Sequence, residues 1–301
     1  MSTNEILGRF GPTWPRRRSG RENDSPMGGD HQPFGCQPTP RLTVKAPAIT
    51  SLPSTQAGGS GSVRTDKTAP LTACIFDVDG VLLASPHEQA WCEALQGIAD
   101  PACFTTALYQ AHVAGKPRLA GALAALQALG VPDPEQQSHA YAERKQKRLE
   151  ALIEDGAFSA YPDALRFVRS LLALQWKLAV ASSSRNANRM MQLIHLDCGT
   201  TLLDVFHVNV CGRAVQRGKP NPEIFLLVAA ELRVAPAKCL VIEDAPAGIE
   251  AAHAGNMTAL GVARHHDASL LFGVGADLVV TSLDEVAVDA LAAGQLRRNS
   301  A

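Results

Sequence analysis

Residues 72–80 have the sequence TACIFDVDG, and this stretch decides the fold. Its first seven residues form an apolar run with the length of a buried β-strand, and Asp79 and Gly80 are typical of the turn that ends such a strand. A continuous apolar strand is typical of a parallel sheet with both faces covered by helices. The stretch therefore predicts a buried strand of an α/β domain.

The chain after residue 160 alternates between short apolar runs and amphipathic stretches, which predicts a doubly wound parallel sheet of the α/β class. The predicted strands are Lys177–Ala181, Phe206–Val210, Cys239–Ile242, Ala259–Val262 and Leu278–Val280. The predicted helices begin at Tyr161, Asn186, Pro222, Gly248 and Ser282, the last with Glu285 completing a capping box.

Residues 85–160 have helical periodicity, with leucines three and four positions apart at 119, 123, 126 and 129. An all-helical block that follows the first strand of an α/β sheet is an insertion into it. We therefore predict a core of residues 71–84 and 161–301 and an inserted α-helical domain of residues 85–160, called the cap below.

Polar side chains stand where the predicted strands end. They are Asp77 and Asp79 at the end of the first strand, Ser182 and Ser183 after the second, Glu243 and Asp244 after the fourth, and Lys219 in a loop before a helix. Ligands of open α/β sheets bind at the carboxyl ends of the strands. The four carboxylates, the hydroxyls and the lysine are therefore expected on one edge of the sheet.

Carboxylates packed this closely repel one another unless a cation neutralises them, and oxygen ligands suit Mg²⁺. Such a site suits a phosphoryl group, with Asp77 attacking phosphorus and Asp79 acting as general acid and then base. Taken alone, each motif also fits an ordinary polar strand end, a solvated loop or a helix cap. Their common placement at strand ends favours the phosphoryl site.

These motifs resemble those of the haloacid dehalogenase superfamily over residues 72–280. The matching segments are FDVDGV (76–81), VASSS (180–184), RGKPNPEIF (217–225) and VIEDAPAGIEAAHAG (241–255). The resemblance implies a Rossmann-like core and the cofactor Mg²⁺. The implied roles are nucleophile for Asp77, acid and base for Asp79, phosphate binding for Ser182, Ser183 and Lys219, and metal binding for Asp77, Asp79, Glu243 and Asp244.

The cap is similar to that of the β-phosphoglucomutase branch of this superfamily, through AGKPR at 114–118 and AERKQKR at 142–148. In that branch the arginine that matches Arg118 would bind the distal phosphate of the substrate. The resemblance implies substrate contacts at Ser85, His87, Gly115, Arg118, Lys145, Arg185 and Asn186.

One segment departs from the branch: VLLASPHEQAW at 81–91 is shorter than usual, Ala84 replaces a common aspartate, and His87 aligns with the cap histidine only through a gap. Because that histidine is linked to ordering the general acid, we expect hydrolysis of a small phosphorylated metabolite, a sugar phosphate, rather than mutase action. The alternatives are a β-phosphoglucomutase-type mutase and a non-catalytic phosphate-binding regulatory protein. A receiver-type signalling domain is disfavoured by the large cap and by Asp79.

Residues 1–70 contain nine proline, nine glycine and fifteen serine or threonine residues, with scattered apolar residues. Such a segment buries too little apolar surface to offset its ordering entropy, so we predict a disordered tail. It holds nine Lys and Arg against five Asp and Glu. The basic run Arg16–Arg18 is interpreted as part of a solvated tail rather than as a nucleic-acid patch or a targeting peptide.

The whole chain has 28 Lys and Arg against 29 Asp and Glu, a net charge of -1, which gives no electrostatic basis for a nucleic-acid partner. No apolar run approaches the ~18 residues of a membrane span. The seven cysteines form no C-x-x-C pair, which favours a reducing compartment. We expect a cytoplasmic monomer that binds neither nucleic acid nor membrane.

Overall fold

The structure, a computed structural model, describes residues 69–300 apart from residue 198. The predicted disordered tail, residues 1–70, lies outside the described residues except for its last two positions. The core and the cap are therefore described, and the basic run Arg16–Arg18 is not.

The core is built on a six-stranded parallel sheet, as the apolar runs predict. The strands of the described residues are β1 (Ala73–Phe76), β2 (Leu83–Ala84), β3 (Ser159–Ala160), β4 (Lys177–Val180), β5 (His195–Asp197), β6 (Thr200–Thr201), β7 (Val208–Asn209), β8 (Cys239–Glu243), β9 (Thr258–Val262) and β10 (Leu278–Val280). The order in the sheet is β10-β9-β8-β1-β4-β7, and β1 pairs in parallel with both β4 and β8. The residues that follow β1 therefore lie at the middle of one sheet edge.

Helices cover both faces of this sheet and form the cap. The α-helices of the described residues are α1 (His87–Ala94), α2 (Thr106–Leu108), α3 (Arg118–Ala128), α4 (Pro134–Glu154), α5 (Pro162–Ala173), α6 (Ala187–Gln192), α7 (Glu223–Leu232), α8 (Pro246–Ala254), α9 (Ala268–Gly273) and α10 (Val288–Ala292). A π-helical turn, Tyr109–Val113, follows α2.

The side chains of β1 alternate between two apolar clusters, one on each face of the sheet. Cys74 and Phe76 belong to one cluster, and Ala73 and Ile75 belong to the other. All four residues are fully buried. Burial on both faces explains why this strand has no polar alternation in the sequence.

The predicted start of the last helix, at Ser282, is wrong. Ser282 and Glu285 do form the predicted capping box, but it caps only a 3₁₀ turn at Leu283–Glu285. Val286 is extended and forms an antiparallel bridge with Arg298, so pairing with the C-terminal segment ends the turn. The helix α10 begins only at Val288.

The cap helices α1 to α4 lie between β2 and β3, which pair antiparallel with Leu83 opposite Ala160 and Ala84 opposite Ser159. The cap has its own apolar cluster, in which the Tyr141 hydroxyl donates to the Trp91 carbonyl at 2.9 Å. The limits 85–160 for the cap stay a prediction. Among the described residues, no helix has both the length and the apolar character needed to cross a membrane.

Candidate active site

Backbone hydrogen bonds draw three strand ends together at the carboxyl edge of the sheet. The Asp77 amide donates to the Ile242 carbonyl at 3.0 Å, and the Ala181 amide donates to the Phe76 carbonyl at 2.9 Å. These bonds continue the parallel ladders one residue past β1. They place Asp77 between the ends of β4 and β8, on the edge of the sheet where the sequence analysis expects the polar groups.

The Lys219 ammonium group lies between two carboxylates. Its Nζ atom is 2.5 Å from Asp77 Oδ1 and 2.5 Å from Glu243 Oε1, and it lies 5.0 Å from the centre of the Phe225 ring. The Lys219 side chain is fully buried. Burial alone would lower the pKa of Lys219, but the two carboxylates outweigh burial and raise it. Lys219 is therefore charged at neutral pH.

Three carboxylates form a cluster in which one oxygen from each residue lies within 4.8 Å of the others: Asp77, Glu243 and Asp244. Burial raises the pKa of Glu243 to about 7 against the pull of Lys219. Burial, followed by the charges of Glu243 and Asp77, raises the pKa of Asp244 well above its usual range. If all three carboxylates were ionised, the cluster would carry more negative charge than the Lys219 ammonium group alone can offset.

The cluster fits a small hard cation. A side chain at Gly80, where φ is +83°, would place its Cβ 1.9 Å from Asp244 Oδ2, and a Cβ at Gly248 would lie 2.0 Å from the Glu243 carboxyl carbon. Both glycines thus leave room for a metal-binding carboxylate. Glu243 Oε2 is buried and has no hydrogen-bond partner among the described residues. An oxygen-only donor set with an unpartnered carboxylate oxygen suits Mg²⁺.

Asp79 lies outside the three-carboxylate cluster, and its predicted role as a fourth metal-binding residue stays a prediction. Its Oδ2 atom accepts from Ser182 at 3.3 Å, Ser85 also donates to it, and its Oδ1 atom lies 3.5 Å from His87 Nε2. Ser85 and His87 belong to the predicted cap and Ser182 to the core, so the Asp79 carboxylate is held at the boundary between the two. Burial raises the pKa of Asp79. A carboxyl group with a raised pKa suits proton transfer.

Two cap residues, His87 and Lys145, continue the series of polar contacts that begins at Asp79. Lys145 Nζ lies 2.9 Å from His87 Nδ1, and Ser184 Oγ lies 3.4 Å from His87 Nε2. Burial and the Lys145 charge lower the pKa of His87 well below its usual range, so the ring is neutral. Because Lys145 donates to Nδ1, the ring proton is assigned to Nε2, which faces Asp79. Burial lowers the pKa of Lys145 to about 7.

A cavity of about 380 Å³ lies between the core and the cap. The predicted residues that line it are Asp77, Asp79, His87, Gly115, Arg118, Lys145, Ser182, Ser183, Arg185 and Asp244. The other predicted residues, Ser85, Asn186, Lys219 and Glu243, lie outside the lining. Ser85 contacts Asp79, and the Asn186 amide donates to Ser184 Oγ at 3.2 Å. Asn186 is thus placed at the start of α6 rather than in the cavity.

The lining residues that were not predicted from the sequence include Trp91, Tyr109, Lys116 and Arg213. Lys116 belongs to the AGKPR segment on which the cap resemblance rests, so its place in the lining could have been predicted from the sequence. Tyr109 begins the π-helical turn, which single-sequence periodicity does not show. With Arg118, Lys145 and Arg185, Lys116 and Arg213 bring the number of lysine and arginine residues in the lining to five.

A parallel α/β core whose central strand ends at a buried carboxylate beneath a helical insertion defines a class of enzyme folds. The chain belongs to the haloacid dehalogenase-like hydrolase family, whose profile matches residues 71–256. The fold class and the superfamily resemblance are thereby confirmed.

The chain is similar to proteins of two kinds within this family. It is 34% identical over 186 residues to the "Phosphorylated carbohydrates phosphatase" of Thermotoga maritima, covering 60% of this chain and 80% of that protein. It is 39% identical over 115 residues to the "Beta-phosphoglucomutase" of Bacillus subtilis, covering 38% of this chain and 46%, about half, of that protein. The crystal structure of an archaeal β-phosphoglucomutase from Pyrococcus sp. strain ST 04 superposes with a TM-score of 0.59 at 31% identity, covering 74% of this chain and 97% of that one.

Proposed function

We propose that the chain is an Mg²⁺-dependent phosphotransferase that acts on a sugar phosphate through an aspartyl-phosphate on Asp77. The observation that carries this proposal is the cluster of Asp77, Glu243 and Asp244, with Lys219 between Asp77 and Glu243. The Asp79 carboxylate lines the same cavity as Asp77. A nucleophile, a cation site and a separate proton carrier are the groups that phosphoryl transfer requires.

In the first step, an Asp77 carboxylate oxygen attacks phosphorus, and the bond from phosphorus to the sugar oxygen breaks. Asp79 gives its proton to that leaving oxygen, which its raised pKa favours. Lys219 orients Asp77 and offsets part of the negative charge on the phosphoryl oxygens. Mg²⁺ bound by Asp77, Glu243 and Asp244 would neutralise much of the remaining charge.

In the second step, the Asp79 carboxylate takes a proton from the acceptor hydroxyl, whose oxygen attacks phosphorus. The bond from phosphorus to Asp77 breaks, and the free carboxylate is restored. Ser182 holds Asp79 through a hydrogen bond of 3.3 Å, and His87 Nε2 faces the same carboxylate at 3.5 Å. These contacts keep Asp79 aimed at the reacting oxygen in both steps.

The acceptor decides between a mutase and a hydrolase, and the cavity favours the mutase. Arg118, Lys145 and Arg185 offer a second anion site in the cavity whose floor carries Asp77. A second anion site allows a bisphosphate to bind in either direction, which a mutase needs and a simple phosphatase does not. The position of His87 beside Asp79 also removes the reason for which the sequence favoured hydrolysis. Hydrolysis remains the second candidate because the similar proteins include a phosphatase.

The test is to incubate the purified full chain with Mg²⁺, β-glucose 1-phosphate and a trace of β-glucose 1,6-bisphosphate. Formation of glucose 6-phosphate without inorganic phosphate is the expected result. Stoichiometric phosphate release would assign hydrolysis instead, and turnover of neither kind would reject the proposed substrate class. Asp77→Asn should abolish turnover, while Asp284→Asn, at a surface ion pair, serves as the matched control.

A further inference from the structure

Arg264 is a largely buried cation outside the cavity that contacts both connections between the core and the cap. It follows β9, and the neighbouring Ala263 amide donates to the Val280 carbonyl at 2.8 Å, so its backbone is tied to the sheet. Its side chain is 9% exposed. None of the phosphoryl-transfer steps above uses it.

On one side, Arg264 holds the connection that leaves the core. Its Nη2 atom donates to the Val81 carbonyl at 3.3 Å. Val81 lies in the tight turn after Asp79, where the amides of Leu82 and Leu83 both donate to the Val78 carbonyl. The guanidinium group therefore fixes the outer side of the turn that carries the general acid and leads into β2.

On the other side, the same group holds the connection that returns to the core. The guanidinium carbon lies 4.0 Å from the centre of the Tyr161 ring, and Nη1 donates to Asp163 Oδ2 at 2.8 Å. Asp163 Oδ2 also accepts from the Ser282 hydroxyl at 3.0 Å and from the Leu283 amide at 2.7 Å. A carboxylate with several donors from the core is a rigid anchor for the arginine.

The two connections also contact each other, since the Tyr161 amide donates to the Leu82 carbonyl at 3.0 Å. Any swing of the cap over the cavity has to take place through torsions in these two connections. We propose that Arg264 is a positioning residue that clamps the core end of both connections and so sets where the cap closes over Asp79. The activity measurements that test this role of Arg264 rest on the proposed function.

Arg264→Lys is the informative variant, because lysine keeps a charge for Asp163 but cannot stack a planar group on Tyr161 and reach Val81 at the same time. For a sugar phosphate, kcat/KM should fall by about tenfold to a hundredfold, because the cap no longer closes in one position. Turnover of p-nitrophenyl phosphate should stay near the wild-type rate, because its leaving group departs without a proton and leaves the cap unengaged. Arg166→Lys, at an exposed ion pair on α5, is the matched control and should change neither rate.

Hydrogen exchange provides a readout that does not depend on activity. In Arg264→Lys, the amides of Tyr161 and of strands β2 and β3 should exchange faster, while those of β1, β4 and β8 should not change. If the amides of the two connections exchange at the wild-type rate in Arg264→Lys, the proposed clamp is overturned. It is also overturned if the variant loses activity equally on the sugar phosphate and on p-nitrophenyl phosphate while the core strands exchange faster, because the substitution then disturbs the whole core. A wild-type chain that turns over neither substrate would reject the proposed function, and exchange alone would then decide the role of Arg264.

Discussion

Replacing Lys219 by methionine removes the ammonium group that lies between two buried carboxylates and keeps a side chain of similar length. The exposed fractions are 0% for Lys219, 6% for Asp77 and 0% for Glu243, so water cannot replace the lost charge. Removing one partner of a buried ion pair costs about 3–5 kcal/mol of unfolding free energy. In metal-free buffer at pH 8 we expect Lys219→Met to lose stability in this range.

The loss should depend on pH with a defined sign. Without Lys219, the carboxylates of Asp77 and Glu243 avoid the full cost by taking up protons. Protonation is easier at low pH, so the loss should be smaller at pH 5.5 than at pH 8. Mg²⁺ should then stabilise the variant more than the wild type, because the cation replaces the missing charge and no longer competes with the ammonium group.

Urea unfolding followed by circular dichroism, with and without Mg²⁺ at both pH values, measures these differences. Lys177→Met is the matched control, because Lys177 Nζ donates to the Leu232 carbonyl at 2.8 Å and its loss should cost only about 1 kcal/mol. A Lys219→Met loss no greater than that of the control at pH 8, or a loss that does not grow with pH, would refute the electrostatic account of this site.

Three further predictions concern single groups of the same site. Gly80→Ala should weaken Mg²⁺ binding in calorimetric titrations by at least about tenfold, because its Cβ would collide with Asp244 Oδ2, a ligand of the cluster. In metal-free protein, Glu243→Gln should gain stability relative to the wild type as pH rises from about 4.3 to 7, because burial raises the Glu243 pKa to about 7 and the folded wild type loses stability across this window. Since the pKa of Lys145 is lowered to about 7, kcat/KM for a sugar phosphate should decline above that pH in the wild type, and Lys145→Arg should move the decline to higher pH.

The central part of the site was predictable because it depends on one rule of sheet geometry. Parallel strands end at the same edge, so residues that follow β1, β4 and β8 must meet there whatever their distance along the chain. Asp77, Ser182 and Glu243 follow this rule, and so does the helix-flanked sheet that carries them. The sequence leaves open the order of the strands, which decides which of these strand ends lies in the middle of the edge.

The direction of individual side chains was not predictable in this way. Asp77 and Asp79 are two residues apart, and the sequence assigned both side chains to the metal. In the structure the chain turns at Gly80, and hydroxyls of Ser85 and Ser182 hold the Asp79 carboxylate at the boundary between the core and the predicted cap. That outcome depends on a turn conformation and on donors from distant segments, which residue spacing does not encode.

His87 shows why counting residues along the chain is a weak basis for choosing between hydrolysis and transfer. Alignment compares positions along the chain, and the shortened segment put His87 out of register with the family histidine. In the structure α1 begins at His87 itself, and side chains at a helix start point back towards the preceding segment, here the turn that carries Asp79. The imidazole is therefore 3.5 Å from Asp79 although the connection is shorter. A histidine beside Asp79 is thus compatible with both reactions. On the proposed mechanism, the acceptor that reaches Asp77 is then decided by how well the closed cap excludes water.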